Sequence, residues 1–501
     1  MKRKWKICIV ILFLAATCGI FVFSYSQKRT EIVWYLTDPG YFGVDREDRE
    51  PYQEVHAKRF ELFNKRLKEL GIPAKVVFKY VPSEYEAAEE EFINGSWYKN
   101  EILYSGEIIQ TLLQNDAKAD IAEMSFMEYD RFLPLDDYMK DERMKKAREA
   151  IPENIWKANR INGRTYQIPR GNVGVKETAY CFEKSFIERY EVPLEEEKIK
   201  KMTPEEVVRW LLPYFEESRV LDNRYCLTDA FSLDYSNYLI GKSMPVLEGT
   251  TNNLYLNLKE KKIEDSFSIE EIQNAFELYQ YIYENNLDVH DSLGNVTAQP
   301  VFTLQNMPSI QELQGTEDEE RILAVRLGNP YITRSYGNGV LKSSQNQELA
   351  VQVLAASVYD EELSNLMIYG VPEEDYRLVD GHAVYQNENS ISCMGSYSPV
   401  GNNMIAYPNE LEVLDKREKA EKILKEIPSM PYSNFTPDWN KDLLRKMSEI
   451  AAIYQETIHE LQFSGVPDIK AYLYRQQEKL EDAGLEEVMS ELQKQVDSWE
   501  E

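Results

Sequence analysis

The spacing of apolar residues changes period repeatedly along the chain. Residues 31–36 (Glu-Ile-Val-Trp-Tyr-Leu) form a short, nearly continuous apolar run, which predicts a buried β-strand, and Thr37-Asp38-Pro39-Gly40 breaks it. Over residues 52–70 the apolar positions Val55, Phe60, Phe63, Leu67 and Leu70 recur at helical spacing, and Gly71 supplies the stop. Residues 75–81 return to a strand pattern. Strand, helix and strand in this order predict a β-α-β unit, the opening of a parallel sheet with helices on its faces.

The alternation continues. A helix is expected over residues 102–113 and a short strand over 120–124. Residues 203–218 open with Thr203-Pro204-Glu205-Glu206, a capping box with proline in the first turn. Ser268 and Glu271 offer a second capping box for a helix over 268–285. A strand follows over 322–327, then helices over 346–357 and 361–368. Residues 438–465 read as one long helix and 468–499 as a helical pair broken at Ala483-Gly484. The C-terminal third is helical and highly charged, the pattern of solvated helical faces. No internal repeat stands out.

The N-terminus follows another pattern. Lys2, Arg3, Lys4 and Lys6 precede the apolar residues 7–23, an export signal or signal anchor. Three fates are open. Leu14-Ala15-Ala16-Thr17-Cys18 resembles a bacterial lipobox, which would place a lipid on Cys18, although Thr17 stands where glycine or alanine is usual. Ser24-Tyr25-Ser26 offers a cleavage site. The segment could also stay as an anchor helix. Each fate puts the body outside the cytoplasm, as the basic flank requires, and membrane attachment is the expectation.

Composition narrows the classes. At 501 residues the chain is long enough for two domains, and its 43% hydrophobic content is that of a globular protein. A net charge of −29 repels phosphate backbones, which excludes nucleic acid as a partner and weighs against adhesion to anionic lipid through overall charge. Cys181, Cys226 and Cys393 show neither a disulfide framework nor metal spacing, and His56, His290, His382 and His459 are scattered. Neither metal nor cofactor is expected. The 86 acidic residues can supply any imagined carboxylate pair, so they give a glycosidase reading no support. No GxSxG, P-loop or dinucleotide fingerprint occurs.

Several motifs then act together. Asp120-Ile121-Ala122-Glu123-Met124, Phe132-Leu133-Pro134-Leu135-Asp136-Asp137-Tyr138 and Ile161-Asn162-Gly163-Arg164-Thr165-Tyr166-Gln167-Ile168-Pro169 resemble a strand, its "LxPLDDY" continuation and the "GKxYGIP" crossing of the extracellular solute-binding proteins for carbohydrates. Gln347-Glu348-Leu349-Ala350 and Tyr359-Asp360-Glu361-Glu362-Leu363 are similar to that family's following helices. Tyr369-Gly370, Asp375-Tyr376 and Gly381, with the ending from Leu480-Glu481-Asp482-Ala483-Gly484-Leu485 to Trp499, resemble a lipoprotein subgroup of Gram-positive bacteria. The glycine of the family's "FxxGkaAM" region is missing from Val301-Phe302-Thr303-Leu304-Gln305-Asn306-Met307.

The resemblance implies an α/β, periplasmic-binding-protein-like fold of two lobes with a hinge and a helical C-terminal part. Residues 31–155 with 298–345 would form one lobe, and 156–297 with 346–501 the other, after a signal or anchor at 1–30. The chain would cross near 154–166, return near 298 and cross again near 343. The implied role is the substrate-binding subunit of an ABC importer at the extracellular face of the membrane. It would capture a carbohydrate, as an oligosaccharide, without turning it over, and deliver it to two permease subunits. A surface sensor or scaffold for a non-sugar ligand is the alternative, and a secreted glycoside-active enzyme a weaker one.

A sugar needs planar polar side chains at its hydroxyls and aromatic plates on its faces, and 33 Tyr and 7 Trp are available. Loops after parallel strands line the cleft of open sheets. The candidates are therefore Asp38, Tyr41 and Phe42 after the first strand, Glu123 at the end of the 120–124 strand, and Arg170 beyond Pro169. Asp229 and Tyr235 in residues 228–237, Tyr331, and Tyr397 and Asn403 in loop-rich stretches complete the set. A turn, a helix cap or core packing is the competing reading of each.

Overall fold

The computed structural model describes residues 29–37, 56–81, 118–124, 126–169, 175–221, 225–228, 239, 242–246, 254–285, 287, 299–306, 322–335, 337–386, 400–410, 412–463, 466 and 468–499. Cys18, Asp38, Tyr41, Phe42, Arg170, Asp229, Tyr235 and Tyr397 lie outside these residues, as does the helix expected over 102–113.

The opening β-α-β unit forms as expected. β1 (Thr30–Thr37) pairs in parallel with β2 (Ala74–Val81), and α1 (Ala57–Glu69) crosses between them. Phe63 and Leu67 of α1 are buried against Trp34, Val76 and Phe78. β3 (Ile121–Glu123) adds on the other side of β1. α2 (Glu142–Ala150) and α3 (Glu153–Ala158) follow, then β4 (Gln167–Pro169).

Next come β5 (Val175–Lys176), β6 (Thr178–Glu183), α4 (Lys184–Arg189), α5 (Glu196–Ile199), α6 (Pro204–Leu221) and β7 (Tyr225–Thr228). The capping box of α6 closes in both directions: Glu206 N donates to Thr203 Oγ1 at 3.2 Å, and Thr203 N donates to Glu206 Oε2 at 2.8 Å. A meander of β8 (Ser243–Pro245), β9 (Leu254–Asn257) and β10 (Lys262–Asp265) leads into α7 (Glu270–Glu284). Here the second capping box does not form. The Ser268 hydroxyl donates to Asp265 O at 2.7 Å, because Asp265 has already closed a 3-10 turn by accepting from Phe267 N.

β11 (Gln299–Asn306), β12 (Ile322–Arg326), β13 (Tyr331–Ile332) and β14 (Gly337–Val340) precede α8 (Gln347–Tyr359), α9 (Glu361–Tyr369) and the hairpin β15 (Tyr376–Val379)–β16 (His382–Tyr385). α10 (Lys416–Glu426), α11 (Lys441–Phe463), α12 (Ile469–Asp482) and α13 (Leu485–Ser498) finish the chain. The expected break falls at Gly484, whose φ of +94° is the left-handed conformation that glycine adopts freely.

Two cores result. The first surrounds a five-stranded sheet of order β2-β1-β3-β14-β4 and takes in α1, α2, α3, α8, α9 and α10. The second surrounds a four-stranded sheet of order β12-β6-β11-β7 and the β8–β10 meander, with α6, α7, α11, α12 and α13. This grouping differs from the one the resemblance implied. β11 and β12, expected in the first lobe, pair with β6 and bury Val301, Phe302 and Leu304 in the second core. α8, expected in the second, buries Ala350, Val353 and Leu354 in the first. Each fully buried large apolar side chain contributes about 1.5–3 kcal/mol, so these contacts decide the grouping.

The crossings move accordingly. The chain leaves the first sheet after β4, returns between β12 and β14, and leaves again through residues 427–436. The return expected near residue 298 is not seen at β11, which begins at Gln299 and pairs within the second sheet. Among the described residues, no helix is long and apolar enough to cross a membrane.

Candidate functional site

One rim of the first sheet carries Glu123, the one expected position described there. Glu123 ends β3 and pairs with Asn338, and Gly337 pairs with Pro169. Asp38 and Arg170 come next in sequence after β1 and β4 and lie outside the described residues. The rim is closely packed behind Glu123. Trp34 Nε1 donates to Asn338 Oδ1 at 2.9 Å, and a Cβ at Gly337 would lie 2.6 Å from Gln167 Oε1. Any larger residue there would push β14 away from β4.

Beside this rim, Tyr129 and Tyr166 pack edge to face with centroids 5.2 Å apart. Burial pushes the Tyr129 phenol above its ordinary pKa, while a hydrogen bond with the Asn162 side chain acts the other way. Neither tyrosine was among the sequence candidates; Tyr129 follows β3 and Tyr166 directly precedes β4.

The crossing segments are joined by side-chain amides. Asn159 Oδ1 accepts from Ser335 N at 2.9 Å and Gln167 Nε2 at 3.0 Å. Asn154 Nδ2 donates to Leu424 O at 3.1 Å and Ile427 O at 2.8 Å, satisfying carbonyls at the end of α10. Asn162 exchanges bonds with Thr436 through both its oxygen and its nitrogen. Arg334 donates to Ser433 O and, at 2.6 Å, to Phe435 O. Ile332 N donates to Pro428 O and Met430 N to Ile332 O, which lays the third crossing beside β13.

A cavity of about 410 Å³ opens at this junction, lined by Glu177, Arg326, Asn329, Tyr331, Glu426 and Pro428 among others. It draws on both cores: Glu426 ends α10 of the first, and Arg326 ends β12 of the second. Arg326 Nη1 lies 3.3 Å from Glu177 Oε1. Charged groups, an amide and a tyrosine plate around one space suit a hydroxylated ligand.

Of the described candidates, Tyr331 lines this cavity and Glu123 stands on the first rim. Asn403 joins neither group. The bonds of its turn run to helices: Asn402 Nδ2 donates to Ala150 O and Val358 O, and Asn402 N to Ser364 Oγ. Glu177, Arg326 and Glu426 were missed, since the sequence separations of these three residues hide that they meet.

The architecture has solved counterparts. The N-glycan transport solute binding protein NgtS from Streptococcus pneumoniae superposes with a TM-score of 0.65 at 17% identity, covering 94% of this chain and 99% of its own. This is the extracellular solute-binding-protein fold. NgtS in complex with Man5GlcNAc superposes at 0.60 with 17% identity, over 94% and 98% of the two chains. An HMO binding ABC-transporter associated solute binding protein from Bifidobacterium longum infantis gives 0.52 at 12% identity, over 94% and 99%. Residues 431–501 match the family model described as "Domain of unknown function (DUF3502)". In this solute-binding fold they supply α11, α12 and α13, which pack into the second core. No curated protein matches the chain in sequence.

Proposed function

We propose that this chain is the substrate-binding subunit of an ABC importer that captures an oligosaccharide between two lobes and does not transform it. The observation that carries the reading is the superposition on a transport solute-binding protein over nearly the whole of both chains. Support comes from two cores joined by amide-linked crossing segments, the arrangement of a hinge. The lobes are residues 29–169 with 337–426, and 178–326 with 437–499, and Val175 and Ile332 pack against the first core at the crossings. Ligand held by both lobes binds the closed form better, and that difference in affinity shifts the population toward closure. Glu123, Tyr331 and the segments carrying Asp38, Tyr41, Phe42, Arg170, Asp229, Tyr235 and Tyr397 are the proposed contacts. The N-terminal segment holds the protein at the outer membrane surface, through Cys18 or as a helix, and two permease subunits receive the ligand.

A thermal-shift series with mono- and oligosaccharides, and with peptides as controls, tests this. A ligand that binds the native state stabilises it by about 2.7 kcal/mol at a concentration of about one hundred Kd. The expected outcome is a melting temperature that rises with one class of oligosaccharide, which is recovered unchanged. Shifts with peptides alone would overturn the carbohydrate reading, and consumption of the sugar would make the protein an enzyme.

A further inference from the structure

The third crossing ends in a short turn that the other two also reach. Residues 432–436 lie between Pro431 and Pro437, whose rings fix φ on either side and stiffen the segment. Tyr432 sits at φ +60°, a conformation that a non-glycine residue keeps only when its surroundings impose it. From the first crossing, Asn162 N donates to Asn434 O at 2.8 Å and Asn162 Nδ2 to Thr436 O at 3.1 Å, and Thr436 N donates back to Asn162 Oδ1 at 3.2 Å. From the second, Arg334 donates to Ser433 O and Phe435 O.

The turn also rests on the last helix. The Trp499 ring packs on Tyr432 with centroids 5.1 Å apart and on Phe435 at 5.8 Å. Lys261, between β9 and β10, stands 5.8 Å from the Tyr432 centroid. Gln493 of α13 donates to Lys261 O at 3.0 Å and accepts from Ile263 N at 2.8 Å. Just beyond the turn, Gln495 Oε1 accepts from Asp438 N at 2.7 Å and Gln495 Nε2 donates to Asp438 O at 3.3 Å. Leu485, Val488, Leu492 and Val496 anchor α13 in the second core, so whatever α13 holds moves with the second lobe.

We infer that residues 432–436 are the pivot of lobe closure, and that α13 fixes this pivot to the second lobe through Gln495 and Trp499. The inference rests on the two-lobe capture reading and adds to it a task for the C-terminal region. In a rotation, displacement grows with distance from the axis, so a turn bound to both lobes marks the place that moves least. Apparent affinity scales with the fraction of molecules competent to close. A pivot released on one side lets the second lobe wander over more orientations, and that fraction falls. Gln495 and Trp499 are therefore positioning residues, which act through the turn and not on the ligand.

Hydrogen exchange and single-molecule energy transfer on the full chain, both without ligand, test this. The dyes are attached at positions 68 on α1 and 198 on α5, exposed sites on opposite lobes. In Trp499→Ala the Phe435 and Thr436 amides are expected to exchange about ten-fold faster, because two ring contacts are lost, and the spread of interlobe distances is expected to widen. Gln495→Ala is expected to act in the same direction, and Trp499→Phe to restore both readouts by keeping an aromatic plate. Leu485→Ala removes a core side chain at the far end of the same helix. It is expected to lower the melting temperature and leave both readouts as in the native chain. Unchanged exchange in Trp499→Ala would overturn the clasp, and faster exchange with an unchanged interlobe spread would overturn its hold on closure. Equal changes in Leu485→Ala would reduce the effect to a general loss of stability and overturn it too. Failure of every saccharide to shift the melting temperature would count against the transport reading alone, since neither readout uses a ligand.

Discussion

His56 stands at the start of α1, buried beside Arg59 and edge-on to Phe60. Burial first, and the Arg59 charge second, bring its pKa down from 6.5 to about 2. The folded protein thus refuses a proton that the unfolded chain accepts below pH 6.5. Its stability contribution is intact above that pH and is lost toward pH 2, at up to about 1.4 kcal/mol per pH unit. Melting curves from pH 7 to pH 4.5 are expected to fall more steeply for the native sequence than for His56→Gln, and parallel slopes would refute the assignment. Other residues were readable in part. Cys181 and Cys226 are buried, and burial pushes the Cys181 thiol up to about 12. Asn154, Asn159 and Asn162 gave no signal at all. Each acts through carbonyls or amides as many as 274 positions away, and an isolated asparagine reads only as a turn.

Among the elements, those defined by local chemistry were legible. α6 carries its own start in Thr203 and Glu206. Thr203→Ala is expected to destabilise the second core by about 1 kcal/mol in denaturant titration, the usual worth of such a cap. A loss below the error of that titration would mean that Pro204 and packing alone set the helix start. Elements whose identity depends on a distant partner were not legible. The β8–β10 meander was overlooked because its strands are three or four residues long and its central run, Leu254–Asn257, also suits a helix turn. β11 was not predicted as a strand, and the span that contains it was expected in the first lobe. Val301, Phe302 and Leu304 would bury well in either core, and only their pairing with β6 and β7 chooses between them.

For the whole molecule, separate cores imply separate unfolding. Scanning calorimetry is expected to resolve two transitions. Leu492→Ala, a deletion within the second core, is expected to lower only one of them, at a cost of about 2–5 kcal/mol. A single transition shifted as a unit would show that the crossing segments couple the cores fully. The sequence carried the family pattern and the strand rim, whereas the cavity at the crossings depends on Arg326 and Glu426 meeting from different sheets. The repeated crossing also sets the order in which a growing chain can finish. β14 sits between β3 and β4, so the first sheet lacks an interior strand until residue 340 exists. The second core waits still longer, for Leu485, Val488, Leu492 and Val496 in the last helix. The first core thus closes only after α10 has been made and the second only after α13, so most of the chain exists before either half is finished.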